Sequence, residues 1–180
     1  MAKPSQQERK QKVIGVLNQA RAMELQAIYQ YMNQHYNLDD MDYGELASKV
    51  KLIAIDEMRH AEQFAERIKE LGGEPTTEPS AGVTTSQQPG AVFAFDAKLE
   101  DETIVVYNEF LLICRENGDS TSMNLFEGII DEEQAHYNYF DNVKNHIETL
   151  GQAYLARIAG TPAETGSSTL GFAKGSGGDN

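Results

Sequence analysis

DEMRHAEQFAERI, residues 56–68, carries the reading on which the fold turns. Glu57, His60, Phe64 and Ile68 recur at spacings of three and four. The same stripe extends back through Ile53, Val50 and Leu46 and forward to Leu71, ahead of Gly72-Gly73. That period belongs to a helix with one buried face, not to a strand. An acid and an imidazole occupy the buried stripe, three residues apart, where a helix presents two side chains together. Met58 points elsewhere. At about 100° per residue it lies roughly 130° from the direction that Glu57 and His60 share, so it serves a second face of the same helix.

Three more helices follow from the same period. SQQE (Ser5–Glu8) matches a capping box, and Val13, Leu17, Ala20, Glu24, Ala27, Tyr31 and His35 predict a helix over about 6–36. DYGE (42–45) predicts the cap of the second. Phe93, Ala97, Glu100, Ile104, Tyr107, Leu111 and Cys114 predict a third over about 93–117. Phe126, Ile129, Glu133, His136, Phe140, Val143, Ile147 and Leu150 mark a fourth, which Gly151 ends before a short fifth, QAYLARIAG. The Pro- and Thr-rich stretch EPTTEPSAGVTTSQQPG has no period. Helices of nearly thirty residues are about 42 Å long, so a crossover returning to the same end of a bundle needs that reach. The expected architecture is all-α: a four-helix bundle with a long crossover and a short C-terminal helix. Residues 1–160 form the domain, and 161–180 read as a flexible tail.

Composition narrows the function. The 180 residues hold 28 acidic and 15 basic side chains, a formal net charge of -13. A polyanion repels nucleic acid and gathers cations. Cys114 is the single cysteine, so no internal disulfide or four-cysteine metal site forms, and a reducing cytoplasmic setting is expected. No apolar run is long enough to span a bilayer and no export signal is evident, so no membrane role is expected.

Six polar residues sit where the core should be: Glu24, Glu57, His60, Glu100, Glu133 and His136. An unpaired buried carboxylate costs several kcal/mol, so four of them need compensation. Two divalent cations supply it, since four carboxylates and two neutral imidazoles carry a matching charge. The layout repeats. From Glu24 it is 33 residues to Glu57 and 36 to His60, and from Glu100 it is again 33 to Glu133 and 36 to His136. One Glu from each of two helices, plus Glu-x-x-His from each of the other two, is the signature of a di-iron or di-manganese carboxylate centre. Tyr31 and Tyr107 each follow a stripe Glu by seven residues and fit equally a core or a supporting role. Asp56 and Glu132 stand where they can accept the outer N–H of the opposing histidine. Cys114 reads as core, and His35 and His146 as surface residues at helix ends.

AMELQAIYQY (22–31), DEMRHAEQFAERI and DEEQAHYNYF (131–140) together resemble the motifs of bacterioferritins, and the similarity runs over about residues 8–158. The resemblance implies a hollow shell of 24 subunits with a ferroxidase centre in each and haem between subunits. In that likeness Glu57 and Glu133 bridge two irons, Glu24 and Glu100 are terminal ligands, and His60 and His136 serve one iron each. It also makes Met58 a haem ligand, one thioether from each of two twofold-related chains, hence one haem per two subunits. Leu25, Ile28, Tyr29 and Met32 form a second apolar stripe suited to that face, and Leu25, Ile28 and Ile55 are the expected haem-pocket residues. Three features depart from the family pattern: a longer crossover, a longer tail, and Leu52 where a histidine is often found.

The implied function is iron storage with ferroxidase activity. Fe(II) is oxidised by dioxygen or hydrogen peroxide, a ferric mineral is held inside the cage, and an electron-donor protein is a possible partner. Two alternatives compete. A rubrerythrin-like peroxidase shares the bundle and ligands, but its family carries a cysteine-ligated iron domain that one cysteine cannot build. A DNA-shielding mini-ferritin places its metal between subunits, which the intrachain double motif and the net charge oppose.

Overall fold

The computed structural model describes residues 4–163 and 171–175. Helices α1 (Gln6–Asp40), α2 (Gly44–Glu70), α3 (Pro89–Glu116) and α4 (Ser120–Leu150) form the bundle. A short α5 (Gln152–Ile158) and a single turn, α6 (Phe172–Gly175), follow. α1 packs chiefly on α2 and α3 on α4, and the two antiparallel pairs face each other. No helix is long and apolar enough to cross a membrane among the described residues.

Local chemistry accounts for most of the helix ends. Ser5 and Glu8 form the expected capping box. Asp119 caps α4 by accepting from the Ser122 N–H at 3.0 Å, and it receives Arg67 of α2 on both carboxylate oxygens at 2.9 Å. α3 begins four residues before the expected Phe93, because Pro89 suits the first helical turn and Val92 is already core. α1 continues past 36, and His35 is not a surface residue. It is buried, with Nδ1 2.9 Å from the carbonyl of Ala47 on α2. His146 is exposed.

The cap of α2 also differs from expectation. Asp42 does not cap it: its backbone turns to a φ of 65° and its carbonyl accepts from the Gly160 N–H. The first amides of α2 are taken instead by Thr161. Its carbonyl accepts from Gly44 at 3.1 Å and its hydroxyl from Glu45 at 2.9 Å. A Cβ on Gly44 would lie 2.2 Å from the Thr161 carbonyl oxygen, so only glycine admits this approach.

The crossover is ordered by a polar ladder on α1. Asn18 binds the backbone at Glu74 and Thr76, the Ala22 carbonyl accepts from the Ser80 N–H, and Gln26 meets the Ser80 hydroxyl. Gln30 exchanges two bonds with the Thr84 backbone. These four positions recur every four residues, one face of a helix.

The core divides into two apolar blocks. Leu38, Val50, Ile53, Phe93 and Phe140 belong to one. Leu17, Phe64, Ile68, Phe110, Cys114 and Phe126 belong to the other. Cys114 is fully buried, and burial pushes its thiol up to about 12. Between the blocks lies a layer of charge.

Candidate metal centre

All six stripe residues meet in that layer, and none is more than 2% exposed. Their ligand atoms fall into two groups, Glu24, Glu57, His60 and Glu133, and Glu57, Glu100, Glu133 and His136, with the atoms of each group within 4.8 Å of one another. Glu57 and Glu133 belong to both. Glu57 sets Oε2 2.9 Å from His60 Nδ1 and Oε1 3.1 Å from His136 Nδ1. Glu133 does the converse, with Oε1 3.2 Å from His60 Nδ1 and Oε2 3.1 Å from His136 Nδ1. Each of these carboxylates therefore spans both halves. Glu57 Oε1 and Glu133 Oε1 are buried without a partner in hydrogen-bond geometry, which leaves lone pairs that a cation between the histidines could take up.

The surroundings hold the six in place. His60 Nε2 lies 3.3 Å from Glu132, and His136 Nε2 lies 3.3 Å from Asp56, so each ring can donate outward while Nδ1 faces the centre. Tyr31 and Tyr107 are supporting groups as well as core. Tyr107 donates to Glu24 at 2.6 Å, and Tyr31 donates to Glu100 on the facing helix. A cavity of about 30 Å³ touches all four central carboxylates and is also lined by Met23 and Gln26 of α1 and Leu99 and Thr103 of α3.

Without cations the layer balances its charge with protons. Burial raises the Glu24 and Glu100 carboxyls well above their usual range, and the negative charge of Glu133 and Glu57 adds to the effect. Burial works against protonated imidazole at His60 and His136. The carboxylates outweigh it, chiefly Glu133 for His60 and Glu57 for His136, and raise both rings. Burial opposes the ionised form of Glu133 too, but the histidines hold it low. The donor set fits two divalent ions, which need ionised carboxylates and neutral imidazoles and must displace these protons. Titrating metal-free protein with Co(II) in weak buffer near neutral pH should release about two to four protons per chain, read with a pH indicator. Because raised pKa values mean tighter protons, apparent affinity should strengthen as pH rises. No proton release, or a flat pH profile, would remove this account.

One buried acid was not anticipated from the sequence. Asp96, a turn before Glu100, is fully buried, accepts from Gln34 at 2.8 Å, and has its carboxyl raised well above the usual range by burial.

Met58 lies on the other side of α2 and is 42% exposed. Together with Leu25 and Ile28 of α1 it lines an open groove of about 440 Å³, bordered by Arg21, Ala61, Glu62 and Ala65. Ile55 is not part of that lining.

Fold and site together define a ferritin-like bundle with an intrachain carboxylate-histidine centre, and the model of the ferritin-like domain matches residues 14–150. The chain belongs to the bacterioferritin family. It is 61% identical to the bacterioferritin of Desulfovibrio desulfuricans over 168 residues, 93% of this chain and 94% of that one. It is 32% identical to the bacterioferritin of Mycolicibacterium paratuberculosis over 151 residues, covering 83% and 95%. The solved Desulfovibrio structure, described with its diiron site in different catalytic states, superposes with a TM-score of 0.90 over 92% of this chain and 97% of that one. The Rhodobacter capsulatus bacterioferritin is described with a metal-free dinuclear site and its heme iron in a crystallographic special position. It is 30% identical and superposes with a TM-score of 0.79 over 83% and 94%.

Proposed function

We propose that this protein is a ferroxidase and iron store: it oxidises Fe(II) to Fe(III) at Glu24, Glu57, His60, Glu100, Glu133 and His136 and keeps the ferric product inside a cytoplasmic cage of 24 chains. The observation that carries the reading is the reciprocal reach of Glu57 and Glu133, one oxygen toward each histidine. Two Fe(II) ions held by these residues would give up one electron each, together reducing dioxygen and two protons to hydrogen peroxide, or hydrogen peroxide and two protons to two waters.

The chain's own part is to bind, orient and balance charge. Glu24 and Glu100 close the two ends of the site, each steadied by a tyrosine hydroxyl. Glu132 and Asp56 set the rings so that Nδ1 stays available. The cavity by Met23 and Thr103 borders all four carboxylates, and the net charge of -13 favours cation approach.

A second cofactor fits the other side of α2. The exposed thioether of Met58 among apolar neighbours suits a soft ligand, and the open groove supplies half a slot that a twofold-related chain would complete. Haem iron held by two such methionines would carry single electrons, the traffic that a donor protein releasing stored iron requires. The heme iron on a special position in the Rhodobacter relative agrees with sharing across a twofold axis.

The test combines size and rate. Twenty-four chains of 20.0 kDa should elute at about 480 kDa, and aerobic addition of two Fe(II) per chain should give a fast absorbance rise that prior loading with Zn(II) abolishes. A small oligomer, or oxidation indifferent to Zn(II), would defeat the reading.

A further inference from the structure

The described part of the C-terminal tail is docked on the metal centre's outer wall. Asp56, which faces His136 Nε2, is fully buried. It accepts from Arg59 at 2.9 Å and from the backbone N–H of Ala173 at 2.7 Å. Gly171 is buried against the same carboxylate, and a Cβ there would lie 1.8 Å from Asp56 Oδ1, so only glycine passes. The Phe172 ring stands edge-on to the His136 ring at 6.1 Å and tilted against Tyr139 at 5.1 Å, with Lys49 Nζ 5.7 Å over its face. Three consecutive tail residues thus touch α2 and α4 at the level of one histidine. The chain can reach, since Thr161 is tied to the start of α2 and ten residues span up to about 33 Å. Asp56 lies eleven residues along α2 from Glu45, about 16 Å.

We infer that Gly171–Ala173 is a positioning clip for His136: it seals Asp56 from water and fixes the carboxylate that orients the ring, so that the position formed by Glu57, Glu100, Glu133 and His136 binds its cation only tightly when the tail is docked. The inference rests on the metal-centre reading. Two features make it specific. The contact to Asp56 is a backbone amide, so it depends on tail conformation and not on side-chain identity at 173. The ring contact reaches His136 itself, so losing the tail both leaves Asp56 with Arg59 as its one remaining fixed donor and uncovers the imidazole. A carboxylate open to water directs a neighbouring N–H less firmly than one held by two fixed donors.

The experiment is a Co(II) titration of metal-free assembled protein, following visible absorption and heat. Wild type should bind two Co(II) per chain. Ala173→Pro removes the amide donor and Gly171→Ala introduces the blocked Cβ. In both, one Co(II) per chain should bind at least tenfold more weakly and its visible spectrum should change, while the other stays within about twofold of wild type. Ala173→Gly keeps the amide and should behave as wild type, which separates the backbone hydrogen bond from the side chain at 173. Unaltered binding in both Ala173→Pro and Gly171→Ala overturns the clip, as does equal weakening of both equivalents, which would indicate a general loosening of the bundle. If wild type binds no Co(II) at the centre, the metal-centre reading fails and the clip with it.

Discussion

In Glu133→Ala protein the fast phase of Fe(II) oxidation should fall at least tenfold while the assembly keeps its size. Glu133 contributes an oxygen to each half of the centre, 3.2 Å from His60 and 3.1 Å from His136, so its loss removes a ligand from both positions at once. A tenfold fall corresponds to about 1.4 kcal/mol in the barrier, a modest demand on a group that reaches both halves of the centre. The remaining set has one negative charge fewer than two divalent ions need, so the second ion should bind weakly as well. The methyl of alanine keeps the helix, and the apolar blocks on either side do not depend on the carboxylate. Glu127→Ala, six residues earlier on the exposed side of α4, is the control and should leave the rate unchanged. Stopped-flow absorbance after mixing with Fe(II) in air reads the phase directly, and an undiminished fast phase would exclude Glu133 from the site.

The six central residues are legible from the sequence because they break a strong pattern. Four acids and two imidazoles on otherwise apolar stripes at matched separations allow few structures. The contacts of Asp56 and Glu132 to the histidines follow from the same helix geometry, one residue before each Glu-x-x-His. Tyr31 was open, since its own-helix neighbour Glu24 is not its partner: its hydroxyl crosses to Glu100, and Tyr107 crosses to Glu24. What the sequence hides is contact between residues far apart with no period linking them. His35 is buried by a carbonyl on the next helix, and Thr161 caps α2 from 116 residues away. Gly171–Ala173 sits in a segment whose composition reads as a loose tail, yet its glycine and one amide complete the wall beside His136. Charge neutralisation is a requirement that composition can reveal. Shape complementarity between distant segments is not.

Met58→Leu should separate the two faces of α2. Leucine keeps the volume and apolarity of methionine, so the groove with Leu25 and Ile28 should persist and the bundle lose little stability, under about 1.5 kcal/mol. Glu57 and His60 point into the core, whereas Met58 is 42% exposed on the opposite side, so iron oxidation should stay within about twofold of wild type. The thioether is the soft donor that the groove presents, and losing it from both chains of a twofold pair would remove both residues proposed to hold haem iron. Added haem should saturate wild type at one per two chains with a sharp Soret band, and the variant should give a band at least tenfold weaker or displaced to a loosely bound form. The 1:2 ratio matters as much as the spectrum, because it follows only if each chain supplies half of the site. Saturation at one haem per chain, or an unaltered spectrum in Met58→Leu, would return Met58 to the role of packing between subunits and leave the metal centre as this chain's single cofactor site.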